Sequence, residues 1–348
     1  MPRRANVKSK KTSVKIIWTI IVILLVLIVG FGWYCFHSVN SMYRNIYDGS
    51  QPSSAMQGNK PFSVLLLGVD TGAEGRIDRG NSDTMIIMTV NPKKEKVMMY
   101  SIPRDTMAQM IGTSKINVQK INAAYNIGKS KMAMNTVSKL VNVPINYYVT
   151  VNMGGLEKMV NAVGGVDVVS PLTFSYGGYN FTQGVQTHLN GQAALAFTRM
   201  RHQDPRGDYG RQERQQLVLQ ALIKKIGSHE GLIHTKDFLS SLNGNIKTNL
   251  DITEVFKLAK HMHDANTTDR GQLQGQTAWI NESSYQVAST ANLQKASDDL
   301  RQSLDLKPET LNNMETKLNA KNKAFFAGET QEYNTEGTDT TYYTNNTY

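Results

Sequence analysis

A polar, basic stretch opens the chain, and residues 16–36 then run without a charge (IIWTIIVILLVLIVGFGWYCF). An apolar run of roughly 20 residues is long enough to cross a bilayer as a helix. It exceeds the roughly 7–15 residues of a signal-peptide core, and no small-x-small cleavage site follows it. Trp33 and Tyr34 fall where an interfacial aromatic belt would sit. The pattern predicts an uncleaved transmembrane anchor. Arg3, Arg4, Lys8, Lys10, Lys11 and Lys15 precede it. The positive-inside rule therefore places residues 1–15 in the cytoplasm and everything beyond the span outside the cell.

Residues 37–60 read as a polar extracellular spacer. Phe62–Val69 (FSVLLLGV) is a continuous apolar run of strand length, which predicts a central strand. Residues 84–90 and 96–102 read as two more strands, joined by a hairpin turn at Asn91-Pro92-Lys93-Lys94. Helical spacing appears near 129–141, followed by a strand at 147–151. A helix over 156–163 ends at Gly164-Gly165, before a strand at Val166–Val169. Asn190 is placed to cap a short helix over 191–198, and a long helix follows Asp208 to about Ile226. Asp251 and Glu254 fit a capping box. A last strand near 276–287 and a helix near 290–304 complete the pattern. Strands interleaved with helices predict an α/β fold, a mixed central β-sheet with helices on both faces, as one domain over 61–306. Residues 307–348 are expected to be a low-complexity, disordered tail, because from Gly328 they lack the aliphatics that repay ordering entropy.

The formal charge of +10 narrows the partners. The N-terminal flank and the acidic tail (Glu329, Glu332, Glu336, Asp339) aside, the rest keeps a positive surplus. Outside a cell that surplus favours anionic lipids, polymers or phosphates; the predicted topology argues against nucleic acid. The only cysteine, Cys35, ends the apolar span, so the outer domain depends on its core and not on intrachain disulfides.

Five arginines (Arg199, Arg201, Arg206, Arg211, Arg214) crowd around Asp204, Pro205, Gly207 and Asp208. Guanidinium forks match phosphate oxygens two at a time. Asp204, Asp208 and Glu213 leave two of these cations unpaired, which argues for an anion site over a closed salt-bridge network. Arg199 and Arg201 share a face only where the chain is extended. Asp208 is a candidate N-cap, with Arg211 in the first turn and Gln215 one turn on. Asp70 ends the first strand and Asp83 opens the second. In an antiparallel pair the two carboxylates meet, a ready Mg²⁺ or Mn²⁺ site; otherwise each is a turn or cap residue. Arg104 and Asp105 follow a strand that Pro103 stops. Lys120 heads a Lys-Ile-Asn motif, with a second copy at Lys115. No P-loop, dinucleotide fingerprint or Ser-His-Asp arrangement is present, which leaves direct phosphoryl transfer as the chemistry these parts suit.

In combination and order, LLLGVDTG, NSDTM, SIPRDT, KINAAY, VNAVGGVDV and the run LNGQAALAFTRMRHQDPRGDYGRQERQQ resemble the LytR–CpsA–Psr family over about residues 62–226. The resemblance implies a membrane-anchored phosphotransferase. It would move a glycopolymer (wall teichoic acid or capsular polysaccharide) from an undecaprenyl-pyrophosphate carrier to peptidoglycan. The alternative is a non-catalytic binder or regulator of envelope polymer synthesis. Carried over by position, Asp70 and Asp83 would hold the metal. Arg104, Arg199, Arg201 and Arg211 would clamp the pyrophosphate, with Lys120 and Gln215 assisting. Asp208 and Asp105 become general-base or positioning candidates. Family members often carry Gly-Arg-Ser-Asp where this chain has Gly80-Asn81-Ser82-Asp83, so Arg79 or Arg76 would supply the missing charge. The carrier's lipid tail requires an apolar groove; Val149, Leu156, Met159, Val160 and Val163 are expected to be core instead. Arg206 and Arg214 are expected to partner Asp204 and Glu213.

Overall fold

A computed structural model describes residues 47, 54–69, 80–228 and 244–343. The apolar span 16–36, Asp70, Arg76 and Arg79 lie outside the described residues. Among those described, no helix is long and apolar enough to cross a membrane.

The first half of the chain forms β1 (Phe62–Val69), β2 (Ser82–Asn91), β3 (Lys96–Ser101), β4 (Met107–Gln109), β5 (Val118–Lys120), α1 (Ala123–Val141), β6 (Tyr147–Asn152), α2 (Met153–Ala162) and β7 (Val166–Val169). The second half adds β8 (Phe174–Tyr176), β9 (Tyr179–Phe181), β10 (Gln186–Leu189), α3 (Gly191–Arg199), α4 (Asp208–Ile226), β11 (Ile246–Thr248), α5 (Ile252–Asp264) and β12 (Thr267–Gln272). It closes with β13 (Gln276–Ile280), β14 (Ser283–Val287), α6 (Thr290–Ser303), α7 (Met314–Lys321) and α8 (Lys323–Phe326).

The main sheet has the order β11-β6-β1-β2-β3-β12. It is mixed, since β1 runs antiparallel to β2 and parallel to β6. Strand β1 is buried on both faces, which is why its sequence is apolar throughout. Its pleat sends Leu65 and Leu67 into a core with Val137 of α1 and Leu300 of α6. Val64 and Leu66 point the other way, toward Leu258 of α5 and Leu219 of α4. Helices thus cover both faces, as the alternation of elements predicts. A further core, built on Phe174, Phe181 and Phe197, fixes the β8–β9 hairpin against α3.

Several expectations are corrected. Helix α1 starts at Ala123, before the apolar periodicity becomes regular, because Gly128 and Lys129 interrupt it with non-helical backbone. The strand expected over 276–287 is a hairpin, turned by Asn281 and Glu282, both at positive φ (46° and 62°). The tail expected to be disordered is ordered through Tyr343, with α7 and α8 packed on the β13–β14 hairpin. Its apolar residues are few, but Leu318, Phe325 and Tyr333 each reach that core, and asparagine side chains satisfy the intervening backbone.

Candidate functional site

The arginine segment is aligned by one buried guanidinium. Helix α3 begins at Asn190, whose side chain accepts from the Ala193 amide at 2.9 Å. It ends at Arg199, because Met200 turns extended (ψ 133°) and is buried. Arg199 and Arg201, on either side of Met200, are therefore both exposed. Arg214, one turn and a half into α4, is fully buried. It donates to the Phe197 carbonyl at 3.0 Å, to the Met200 carbonyl, and to the Asp204 carboxylate. That fork ties the end of α3 and the turn after it to α4. Asp204 also accepts from the Arg206 amide at 2.9 Å. Burial pushes the Asp204 carboxyl up, but the Arg206 amide and the Arg214 guanidinium outweigh it and hold the group below the usual carboxylate range. Arg206 bridges Glu213 at 2.7 Å and Asp204 at 3.5 Å. Arg206 and Arg214 are thus the structural members of the five. Arg199 and Arg201, the two cations that the acids of the segment leave over, form no ion pair among the described residues.

Gly210 is required by the same packing: a Cβ there would lie 1.8 Å from an Asp204 oxygen. The N-cap of α4 is Gly207, at φ 55°, and not Asp208. Asp208 is the first helical residue, and its carboxylate turns to Arg211 (2.5 Å) and to the Gln212 amide (2.7 Å). Burial pulls the Arg211 guanidinium below its ordinary value; Asp208 opposes this, while Arg104 and Arg201 add to it. The Arg211 Nε and the Gln215 Oε1 are buried without a hydrogen-bond partner.

The opposite wall comes from β2 and the loops after β3 and β5. Arg104 donates to Asp83 at 2.8 Å and lies 3.6 Å from Asp105. Lys120 lies 3.6 Å from the other Asp105 oxygen, with its ammonium 5.4 Å from the centre of the Tyr285 ring. Burial lowers the Arg104 guanidinium, but the carboxylates of Asp83, Asp105 and Asp208 raise it further than burial lowers it. The same interactions place Arg104 within electrostatic range of both Asp208 and Arg211. The structure thus gathers Asp83, Arg104, Asp105, Lys120, Arg201, Asp208 and Arg211 into one charged cluster. Lys115, the alternative to Lys120, is exposed and forms none of these contacts. Tyr285 carried no sequence signal, because its contact with Lys120 spans 165 positions of chain.

Of the expected metal pair, only Asp83 is described. Strands β1 and β2 are antiparallel neighbours, and Val69, before Asp70, pairs with Ser82, before Asp83. Asp70 and the substitute Arg79 lie outside the described residues. Asp83 offers one carboxylate oxygen that no described residue engages, and the Asn81 Oδ1 and Ser82 Oγ are buried and unpartnered beside it in sequence. Among the described residues no three His, Cys, Asp or Glu form a metal cluster. One or two carboxylates plus phosphate oxygens are the usual way to hold Mg²⁺, and this donor set fits that mode.

Beside the cluster lies an apolar cavity of about 210 Å³, walled by residues such as Leu66, Ile86, Val149, Leu156, Leu219 and Ile223. Arg199 and Gln215 are among its few polar lining residues. Val149, Leu156 and Met159, expected as core, line it; Val160 and Val163 do not, and stay buried in the neighbouring core. The wall is apolar except where one guanidinium, Arg199, and a few polar side chains enter it.

The site and fold therefore define an α/β protein with an arginine-rich charged cluster beside an apolar cavity. The chain belongs to the LytR–CpsA–Psr family, whose profile (LytR_cpsA_psr family) matches residues 31–302. It is 38% identical over 305 residues to the polyisoprenyl-teichoic acid–peptidoglycan teichoic acid transferase TagU of Enterococcus faecalis (strain ATCC 700802 / V583), covering 86% of this chain and 99% of that protein. The crystal structure of Bacillus subtilis TagU superimposes with a TM-score of 0.59 at 38% identity, covering 71% of this chain and 98% of that one. A structure of TagT bound to LI-WTA gives 0.60 at 25% identity, over 75% and 99%.

Proposed function

We propose that this protein is a single-pass membrane phosphotransferase, with its N-terminus in the cytoplasm and its catalytic domain outside. It moves an anionic glycopolymer from an undecaprenyl-pyrophosphate carrier to peptidoglycan and releases undecaprenyl phosphate. The observation that carries this reading is the apolar cavity with Arg199 and Gln215 in its wall, next to the Arg104–Arg211 cluster.

The carrier's tail enters the cavity, and its pyrophosphate meets Arg199, Arg201 and Arg211, whose charge the protein leaves uncompensated or incompletely compensated. Gln215 orients the head group. A sugar hydroxyl of the acceptor attacks the phosphorus nearest the polymer; a new P–O bond forms, and the bond to the lipid phosphate breaks. Asp208 accepts a hydrogen bond from Gln212 on one oxygen and ion-pairs Arg211 with the other, which has no hydrogen bond among the described residues, and acts by orienting Arg211. Asp105, more exposed and held only by 3.6 Å contacts, is left to take the hydroxyl proton. Asp83 with Asp70 would hold Mg²⁺ or Mn²⁺, which supplies neutralisation of pyrophosphate charge when bound.

The test is transfer in vitro with the purified full-length protein, a synthetic lipid-linked polymer and a peptidoglycan acceptor, with and without chelator. Folded Arg211→Ala and Asp83→Ala proteins are expected to lose about 100- to 1,000-fold in rate, the scale for removing one group that stabilises transition-state charge. Wild-type protein that binds the donor without transferring it establishes the binder reading instead.

A further inference from the structure

The Lys-Ile-Asn duplication has two different jobs in this fold. The second copy, Lys120-Ile121-Asn122, carries the site lysine. In the first, Lys115-Ile116-Asn117, the backbone and the asparagine bind the C-terminal segment. The Val118 amide donates to the Asp339 carbonyl and the Asp339 amide to the Ile116 carbonyl, both at 2.8 Å. The Asn117 side chain donates to the carbonyls of Asp339 (3.0 Å) and Thr341 (3.1 Å). The Gln119 side chain donates to Thr341 (2.9 Å) and to Asn117 (2.6 Å). Both side chains are buried. Strand β5 pairs with β4 on its other edge, and the C-terminal segment adds an isolated parallel bridge, Asp339 with Asn117, just before β5.

That segment is itself anchored. Asn334 and Asn322 exchange two hydrogen bonds of 2.7 and 2.8 Å, and residues 331–333 pair with Trp279 on β13. The strap therefore joins the β13–β14 subdomain, which carries Tyr285, to β5, which carries Lys120. It lies beyond residues 31–302 that the family profile matches. Lys120 is held by a 3.6 Å ion pair and a ring contact, with no hydrogen bond of its own among the described residues, so its position depends on the backbone beneath it.

We propose that Asn117 and Gln119 are positioning residues: they bind segment 339–341 through a backbone bridge and side-chain hydrogen bonds and thereby hold Lys120 between Asp105 and Tyr285. The inference rests on the transferase reading for its consequence and on the bridge and side-chain hydrogen bonds for its mechanism. Displacing a site group by about an ångström can cost on the order of 100-fold, so loss of the strap is expected to slow transfer about 10- to 100-fold.

The experiment is a double-mutant cycle in the full chain: a stop after Glu336, Lys120→Ala, and both together. The deletion is expected to add nothing in the Lys120→Ala background, because each change removes the same placed ammonium. Losses that multiply, or a deletion that transfers at the wild-type rate, overturn the proposal. Gln119→Leu, which keeps the volume and removes the bond to Thr341, replaces the deletion if the shortened chain does not fold. A second arm needs no activity: hydrogen exchange at the Val118 amide and acylation of the Lys120 amine are both expected to rise several-fold without the strap. Unchanged exchange and acylation refute the strap even if transfer is robust. An intact strap in a wild-type protein that transfers nothing refutes the functional reading alone.

Discussion

Removing the Asp204 carboxylate isolates the charge that organises the arginine segment. Arg214 is fully buried, and Asp204 is its only ion-pair partner among the described residues. Asp204→Ala leaves a guanidinium in the interior with two carbonyl acceptors, Phe197 and Met200, and only the more distant, Arg206-paired Glu213 as counter-charge. Breaking a buried pair from one side costs about 3–5 kcal/mol. The lost bond to the Arg206 amide lies within that range, since its donor sits at the partly exposed edge of the turn. With a urea dependence of about 3 kcal/mol/M for a domain of this size, the midpoint is expected to fall by about 1–1.7 M. Circular dichroism of the purified protein in a urea titration reads this directly. The pH dependence gives an independent sign. The native Asp204 group lies below the ordinary carboxylate value, so its stabilisation is present above the unfolded pKa near 4 and is lost as pH falls through the native value. That contribution to acid sensitivity is expected to disappear in the variant. A loss below about 1 kcal/mol, the range of exposed pairs, refutes the claim that this pair is a buried staple.

Gly210→Ala tests the same contact from the other side; the new methyl meets an Asp204 side chain that Arg214 prevents from moving, and a loss of about 3 kcal/mol is expected in the same titration. Leu219→Trp, which fills the cavity wall, is expected to leave the thermal midpoint within a few degrees of wild type but to remove any polyprenyl phosphate that mass spectrometry finds bound, and to cut transfer at least about tenfold. Glu315→Gln keeps the acceptor for the Gln109 amide (2.7 Å). Burial raises the native Glu315 carboxyl, so its stabilisation is full below the unfolded pKa of about 4.3 and is lost as pH rises through the native value; the glutamine variant is expected to gain relative stability above that range, and an unchanged stability–pH curve counts against the assignment.

Long elements were legible in the sequence where their burial is simple. Strand β1 reads as a continuous apolar run because both its faces are covered, and the β2–β3 hairpin shows because polar turn residues separate two apolar runs. Strands β4, β5 and β8–β11 are three or four residues long, too short for periodicity to declare them. Strand β12, Thr-Thr-Asp-Arg-Gly-Gln, is a polar edge strand whose place is set by pairing with β3 and not by its own pattern. The tail misleads for a related reason. Composition counts apolar residues, but order in 307–343 depends on where Leu318, Phe325 and Tyr333 land and on asparagine side chains that bind distant backbone. The site shows the same division. Charge counting left two arginines unpaired, and the two are Arg199 and Arg201; the buried fork of Arg214, which arranges them, is a three-dimensional fact without a local signature.

The two inward-facing guanidinium groups also differ in a way that sequence cannot express. Arg104 sits among Asp83, Asp105 and Asp208, and those carboxylates raise it despite its burial. Arg211 is more deeply buried, answers mainly to Asp208, and is lowered by burial and by its cationic neighbours. On the proposed reading, a pyrophosphate would gain little from a cation that three carboxylates already satisfy, and much from one whose desolvation is incompletely compensated. Arg104 therefore holds Asp83 and Asp105 in place, while Arg211, with its unpartnered Nε, is the residue that the proposed ligand would satisfy. The cluster is built to be short of negative charge at one position. That position lies one helical turn before Gln215, a residue of the cavity wall whose Oε1 is buried and unpartnered, so the apolar cavity and the charged cluster adjoin on one face of α4.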